Sequence, residues 1–323
     1  MKKRIIILGS LVLFVVLAWI GAWLFIAGQL RQQIELQALA DGETAPQLVC
    51  GSLDIGGFPF RLDVECASAS LVSGDLLVEI PYMRASAMVY RPNHLLGAAT
   101  GPVAISDAFT GTRQEVNWTG SEASLRLENW RIARLSIVAD GVTWTDQLFG
   151  DTLIAEANHV EAHLLDMPEM HDAEAGRAAL AGYLRAEAVS APGIDMDNLD
   201  AEIELEVTAL PDDIRNWGAV PFLPDWQQAG GRLRIVGIRA SDGSADLNAS
   251  GELTLDAQGY PTGSISIDSA GVAERIAPYL EEPWRTLVLG VPGQDGRHSN
   301  QLNFAAGGMS SGLVPIAALA PLF

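Results

Sequence analysis

Asp246-Leu-Asn-Ala-Ser-Gly-Glu-Leu-Thr-Leu255 sets Leu247, Ala249, Gly251, Leu253 and Leu255 against Asp246, Asn248, Ser250, Glu252 and Thr254. Side chains of an extended chain point alternately to two faces, so this stretch predicts a strand with one apolar and one wet face. The same period of two recurs in Ser124-Leu-Arg-Leu-Glu128 and in residues 264–267 and 301–304. It recurs again in residues 201–207, where Ile203, Leu205 and Val207 oppose Glu202, Glu204 and Glu206, and in residues 232–235, where Leu233 and Ile235 oppose Arg232 and Arg234. Strands with one wet face are the mark of antiparallel sheets. If the glutamate-bearing and arginine-bearing strands are neighbours, opposite charges meet across the wet side.

Chain breakers fall between these strands. Residues 240–244 and the segment Asp256-Ala-Gln-Gly-Tyr-Pro-Thr-Gly263 read as hairpin links, and Arg91-Pro-Asn-His94 as a turn. Residues 75–90 are strand-like, with Pro81 predicting an edge or a bulge. Helical signals are few: residues 211–217 open on Pro211 with acids in the first turn, and residues 273–282 are interrupted by Pro278. Such short helices cannot cover a sheet of this size. The fold expected is mainly β, one large antiparallel sheet that is curled or sandwiched, so that its apolar faces cover one another or line a trough. Trp217, Trp226 and Trp284 lie near prolines in the helical caps; they are either core packing or candidates for the rim of such a groove.

Ahead of this domain stands Met-Lys-Lys-Arg, followed by an apolar run over residues 5–27 with no charge inside it. At about 1.5 Å of rise per residue the run is long enough to cross a hydrocarbon core of about 30 Å as one helix. Bulky Leu24, Phe25 and Ile26 stand where a signal peptidase requires small residues, which favours an uncleaved anchor over residues 1–28. Lys2, Lys3 and Arg4 precede the run and Arg31 alone follows it closely, so the positive-inside bias leaves the N-terminus in the cytoplasm and exports the rest. Trp19 and Trp23 fall toward the outer end, where indoles favour the interface. The helical pattern continues as a short stalk over residues 29–43, and residues 44–323 form the β domain.

Of 20 basic side chains three precede the span, leaving 17 against 40 acidic ones and a net charge of −23 on the remainder. That field repels phosphate backbones, so nucleic acid is not an expected partner. Cys50 and Cys66 are the two cysteines. An oxidising compartment favours a disulfide between them, with free thiols or a redox pair as alternatives, although the spacing is too wide for a CxxC centre. The intervening sequence reads as a hairpin around Gly56, Gly57, Phe58 and Pro59, with Phe58, Phe60, Leu62, Val64 and Cys66 on one face of its second strand.

The stretch Cys50-Gly-Ser-Leu-Asp-Ile-Gly-Gly-Phe-Pro-Phe-Arg-Leu-Asp-Val-Glu-Cys66 after a signal anchor resembles the bacterial envelope family known as domain of unknown function twenty-one twenty-five. The most specific part of the likeness is Gly57, Phe58, Pro59, Phe60 and Arg61; the hairpin over residues 251–263 and the apolar C-terminus over residues 313–323 agree with it. The resemblance implies an anchored, β-rich envelope protein and carries no catalytic residues.

One constellation has chemistry in it: His159-Val-Glu-Ala-His163. On a strand His159, Glu161 and His163 share a face, and two imidazoles with a carboxylate are suitable zinc ligands in kind. Their spacing is not that of a helical HExxH site, and the plainer reading is a polar wet face. The spacing GxSxG occurs at residues 308–312, ahead of the proline-bearing C-terminal tail and not ahead of a helix, so it is not read as a nucleophile elbow; no Walker loop or dinucleotide-binding GxGxxG is present, and no cofactor is expected. The sequence therefore favours a single-pass inner-membrane protein, anchored through residues 5–27, with a periplasmic β domain that is not an enzyme. Its role is to bind or guide an apolar ligand such as lipid or lipoprotein, or to dock an envelope partner. A metal-dependent hydrolase using His159, Glu161 and His163 is the runner-up, and a purely structural scaffold the third reading.

Overall fold

A computed structural model describes residues 2–217 and 221–323. Met1 and residues 218–220, which fall within the expected anchor and β domain, lie outside the described residues. Seventeen strands form one antiparallel sheet, accompanied by a long N-terminal helix and a few short ones. The mainly β class expected from the period-two patterning is the class observed. The chain divides into two compact units, Met1–Ser124 with Thr143–Ile154, and Leu125–Val142 with Ala155–Phe323.

The first unit begins with α1 (Lys2–Gln37). Its uncharged run closes every backbone hydrogen bond within the helix, and it is long and apolar enough to cross a membrane. An 18-residue stretch of it is wholly unburied, whereas Trp23 and Ala27, one turn apart, are buried. α1 continues through the segment expected as a helical stalk as far as Gln37, and there Arg31 donates to the Leu53 carbonyl and Gln37 to the Pro46 carbonyl. After it the Asp41 carboxylate accepts from the backbone N–H groups of Glu43, Thr44 and Ala45 and fixes the turn into the first strand.

In chain order there follow β1 (Gln47–Gly56), β2 (Arg61–Ser73), β3 (Leu76–Met88), β4 (Arg91–Thr100), β5 (Val103–Asp107), β6 (Arg113–Asn117), β7 (Gly120–Glu128), β8 (Arg131–Asp146) and β9 (Thr152–Asp166); β7, β8 and β9 run through the unit boundaries, and most of β8 and β9 belongs to the second unit. The β1–β2 hairpin is closed by the Cys50–Cys66 disulfide, with Cα atoms 5.4 Å apart. Cys50 lies opposite Ala69 and Cys66 opposite Leu53, so the bridge runs diagonally across the pair. The strands start later than expected: Phe58 and Phe60 belong to the turn, not to β2. Pro81 lies inside a central strand, not in the edge or bulge expected of it: the β2–β3 register is the same on both sides of it. Residues 76–79 of β3 pair with β5 and residues 82–88 with β4; Pro81, lacking an N–H, falls at the changeover. Opposite it Ser68, at φ 50°, is skipped in the ladder, with the register unchanged on either side. The turn expected at residues 91–94 lies earlier, at Val89 and Tyr90, because Arg91 already pairs with Met88.

The second unit adds β10 (Arg177–Ala191), β11 (Met196–Pro211), α2 (Phe222–Gln228), β12 (Leu233–Ser241), β13 (Asp246–Leu255), β14 (Pro261–Ala270), α3 (Val272–Ile276), α4 (Trp284–Leu289), β15 (His298–Ala305), β16 (Gly308–Ser311) and β17 (Val314–Ala318). From β9 onward each strand pairs with the next, a plain meander. The glutamate and arginine strands are neighbours as expected. Glu206 pairs with Arg234, while Glu202 and Glu204 share Arg239 and Arg232 reaches Glu252.

The helix expected over residues 211–217 is reduced to one turn at Ile214–Asn216, capped by the Asp213 carboxylate. The true helix, α2, begins after Pro221 and tolerates Pro224 in its first turn, where no intrahelical donor is needed. α2 delivers Trp226 into a core with Ile132, Leu180 and Leu210. The apolar C-terminus is extended. β17 pairs with β16, and the Leu322 N–H donates to the Gly259 carbonyl, leaving Leu313, Val314, Leu322 and Phe323 exposed.

Candidate functional site

The motif residues Gly57, Phe58, Pro59, Phe60 and Arg61 form the tip of the β1–β2 hairpin. Gly57 adopts φ +94°, and a Cβ there would stand 2.9 Å from the Arg61 carbonyl oxygen and 2.8 Å from Asp63 Oδ2. Glycine is therefore required by both conformation and space. The Gly57 carbonyl accepts from the Arg61 N–H, and the Phe60 carbonyl accepts from the N–H of Val89 in the neighbouring turn.

α1 runs alongside this hairpin in stepwise register. Gln37 donates to the Pro46 carbonyl, Arg31 to Leu53, Trp23 to Arg61 at 2.8 Å, and Trp19 to Pro59 at 3.0 Å. The Trp23 ring also meets Phe58 edge to face, with centroids 5.6 Å apart. The tip thus reaches back along α1 to Trp19, inside the uncharged run.

Two concavities adjoin the tip. A cleft of about 390 Å³ is formed by residues 57–61 with Met88 and Tyr90. A larger groove of about 750 Å³ shares Arg61, Met88 and Tyr90 with it and extends over β2, β3, β4 and β7. The groove is amphipathic, not purely apolar. Arg61, Arg84 and Arg91 enter it together with Asp63, Glu65 and Glu122. Arg61 is paired with Asp63 at 2.8 Å, and Glu65 holds the Tyr82 hydroxyl. Arg84 and Arg91 have no ion-pair partner among the described residues, whereas most arginines of the chain do. Sequence reasoning missed Met88, Tyr90, Arg84 and Arg91. The adjacent Tyr90-Arg91 pair in a turn is the one local signal that could have marked them, since amphipathic aromatic and basic side chains suit a membrane interface.

The structure brings the histidine constellation together on one face of β9. Glu161 Oε2 lies 3.2 Å from His163 Nε2 and 4.0 Å from His159 Nε2. Asp140 is bonded to His159 Nδ1 at 2.7 Å, and the His163 ring stacks on Tyr183. No group of three or more His, Cys, Asp or Glu among the described residues has the geometry to hold a metal ion.

The Asp140 hydrogen bond raises the His159 pKa above its ordinary 6.5, against a smaller effect of burial in the other direction. Protonated His159 is therefore favoured by the fold. The stability it adds is complete below 6.5 and is lost as pH rises through the raised value. An NMR titration of His159 is expected to give a midpoint above 6.5, falling on Asp140→Asn; a midpoint unmoved by that substitution would refute the pairing.

Of the three tryptophans considered for a groove rim, Trp226 is 7% exposed within the core, and its indole donates to the Thr208 carbonyl at 2.8 Å. Trp217 packs against the same cluster and donates to the Pro211 carbonyl. Trp284 is half exposed at the start of α4.

Fold and site together define an antiparallel β protein joined to an N-terminal helix long and apolar enough to cross a membrane, with one hairpin held against that helix. Within that class the chain belongs to the bacterial family described as "Uncharacterized protein conserved in bacteria (DUF2125)", whose model matches residues 23–320. No curated protein matches the chain, and no solved structure does.

Proposed function

We propose that this protein is a single-pass inner-membrane protein with a cytoplasmic N-terminus and a periplasmic β domain, and that it is not an enzyme but binds or guides an apolar ligand, lipid or lipoprotein, at the membrane surface. The observation that supports this reading best is the continuity of the aromatic-lined cleft at residues 57–61, Met88 and Tyr90 with the groove that carries Arg61, Arg84 and Arg91. An acylated molecule with an anionic head matches that order of surfaces, with chains at the aromatic end and the head beside Arg84 and Arg91, which make no ion pair among the described residues. A soluble metabolite would give no reason for the cleft to adjoin an apolar helix.

The test is native mass spectrometry with parallel solvent extraction on the full chain, purified in detergent and stripped of loosely held lipid. A retained lipid or acylated species is expected, and Arg84→Gln combined with Arg91→Gln is expected to reduce its occupancy several-fold. A clean apo mass that persists after incubation with envelope lipids would overturn the reading and favour a scaffold.

A further inference from the structure

We infer that the β1–β2 hairpin tip is a second membrane element: residues 57–60, with Tyr90 beside them, are inserted in the outer leaflet next to α1. This rests on the reading of α1 as a membrane span.

The depth follows from helix geometry. Trp19 and Trp23 precede the end of the uncharged run at Ala27 by eight and four residues, about 12 and 6 Å at a rise of 1.5 Å per residue. A hydrocarbon core of about 30 Å centred on residues 5–27 therefore contains both indoles. If the indoles themselves mark the interface, the core ends between them and the tip sits at its edge. In either placement, the backbone at Pro59 and Arg61, whose carbonyls accept from these indoles, lies at or below the level of the headgroups. This is the depth, about 5–10 Å, that interfacial segments occupy.

The chemistry of the tip matches that depth. No charge lies between Asp54 and Arg61, and Phe58, Phe60 and Tyr90 are 51%, 60% and 68% exposed although each is aromatic. Large exposed aromatic side chains clustered at two adjoining turns need a cover, and hydrocarbon is the cover that the adjacent span provides. The backbone agrees. Unbonded carbonyls are costly in lipid, and those of Gly57, Pro59, Phe60 and Arg61 all accept hydrogen bonds, two of them from the indoles of α1. Pro59 has no N–H to satisfy.

The experiment is nitroxide depth measurement on the full chain in vesicles of phosphatidylethanolamine and phosphatidylglycerol. Both native cysteines are in the disulfide, so a single introduced cysteine is the sole labelling site. Labels at Phe60→Cys, at Val16→Cys within the span and at Thr110→Cys in the β5–β6 turn are compared for collision with oxygen and with a water-soluble nickel chelate. The oxygen-to-nickel ratio at Phe60 is expected to exceed that at Thr110 several-fold and to approach that at Val16. A lipid-exposed Val16 with Phe60 as wet as Thr110 overturns the inference and leaves the anchor reading intact. A water-exposed Val16 overturns the anchor reading and the inference with it. Should Phe60→Cys fail to accumulate, Tyr90→Cys serves as the tip label under the same criteria.

Discussion

Trp226→Ala is expected to lower the stability of the second unit by about 3–5 kcal/mol, the cost typical of deleting a buried tryptophan. Three observations support a value in that range. The indole closes the cluster of Ile132, Leu180 and Leu210, so its removal opens a cavity bounded by side chains from separate strands. It satisfies the Thr208 carbonyl, which would lose its donor. It also abuts Gly231, where an added Cβ would stand 2.2 Å from the ring. Gly231→Ala is consequently expected to be destabilising in its own right, by about 1–3 kcal/mol of overpacking. Guanidinium unfolding checks both, read as a lower midpoint at constant slope. A loss of less than about 1 kcal/mol for Trp226→Ala, within the ordinary scatter of point mutants, would show that the indole is not part of the packed core.

Loss of the disulfide is the second large effect. The variant Cys50→Ala with Cys66→Ala is expected to destabilise the first unit by about 3 kcal/mol, the chain-entropy cost of opening a loop of about 15 residues. The native bridge closes a separation of 16 residues. Its strands carry the tip that binds Trp19 and Trp23, so greater freedom in the hairpin should also weaken the hold of the tip on α1. Reductant added to the native protein should reproduce the shift in unfolding midpoint, and the double-alanine variant should be insensitive to it. If reductant left the native midpoint unchanged, the cross-strand ladder alone would be holding the hairpin.

Much of the architecture was legible because it depends on short-range patterns. Alternation in residues 246–255 gave β13, and the uncharged run gave α1. The pairing of glutamates with arginines on β11 and β12 was anticipated, yet its register was not. Arg239, outside the pattern that drew attention, is the residue that Glu202 and Glu204 share. A bulge between Glu204 and Leu205 shifts the ladder, and no periodicity reports a bulge on a wet face. α2 was missed because its prolines at 221 and 224 mimic a break, although proline is tolerated in a first turn.

The candidate site was only half visible. Its motif residues were singled out from the chain, but Met88, Tyr90, Arg84 and Arg91 are separated from them by more than twenty residues and come alongside only through the pairing of β2 with β3. The histidines on β9 were placed correctly on one face, because that needs nothing beyond a period of two.

The sequence by itself determined the local states of this protein: a helix able to span a bilayer, strands with one wet face, a cysteine pair placed to close a hairpin, and an acidic surface. These follow from side-chain periodicity and composition, which act within a few residues. The tertiary structure alone decided that Trp226 belongs to a core, that unpaired arginines gather beside the hairpin, and that the tip reaches Trp19 on α1. Those outcomes depend on strand register, on where each turn starts and on which donor reaches which carbonyl. Such long-range pairings are fixed by the fold as a whole, because a shift of one residue exchanges the two faces of a strand.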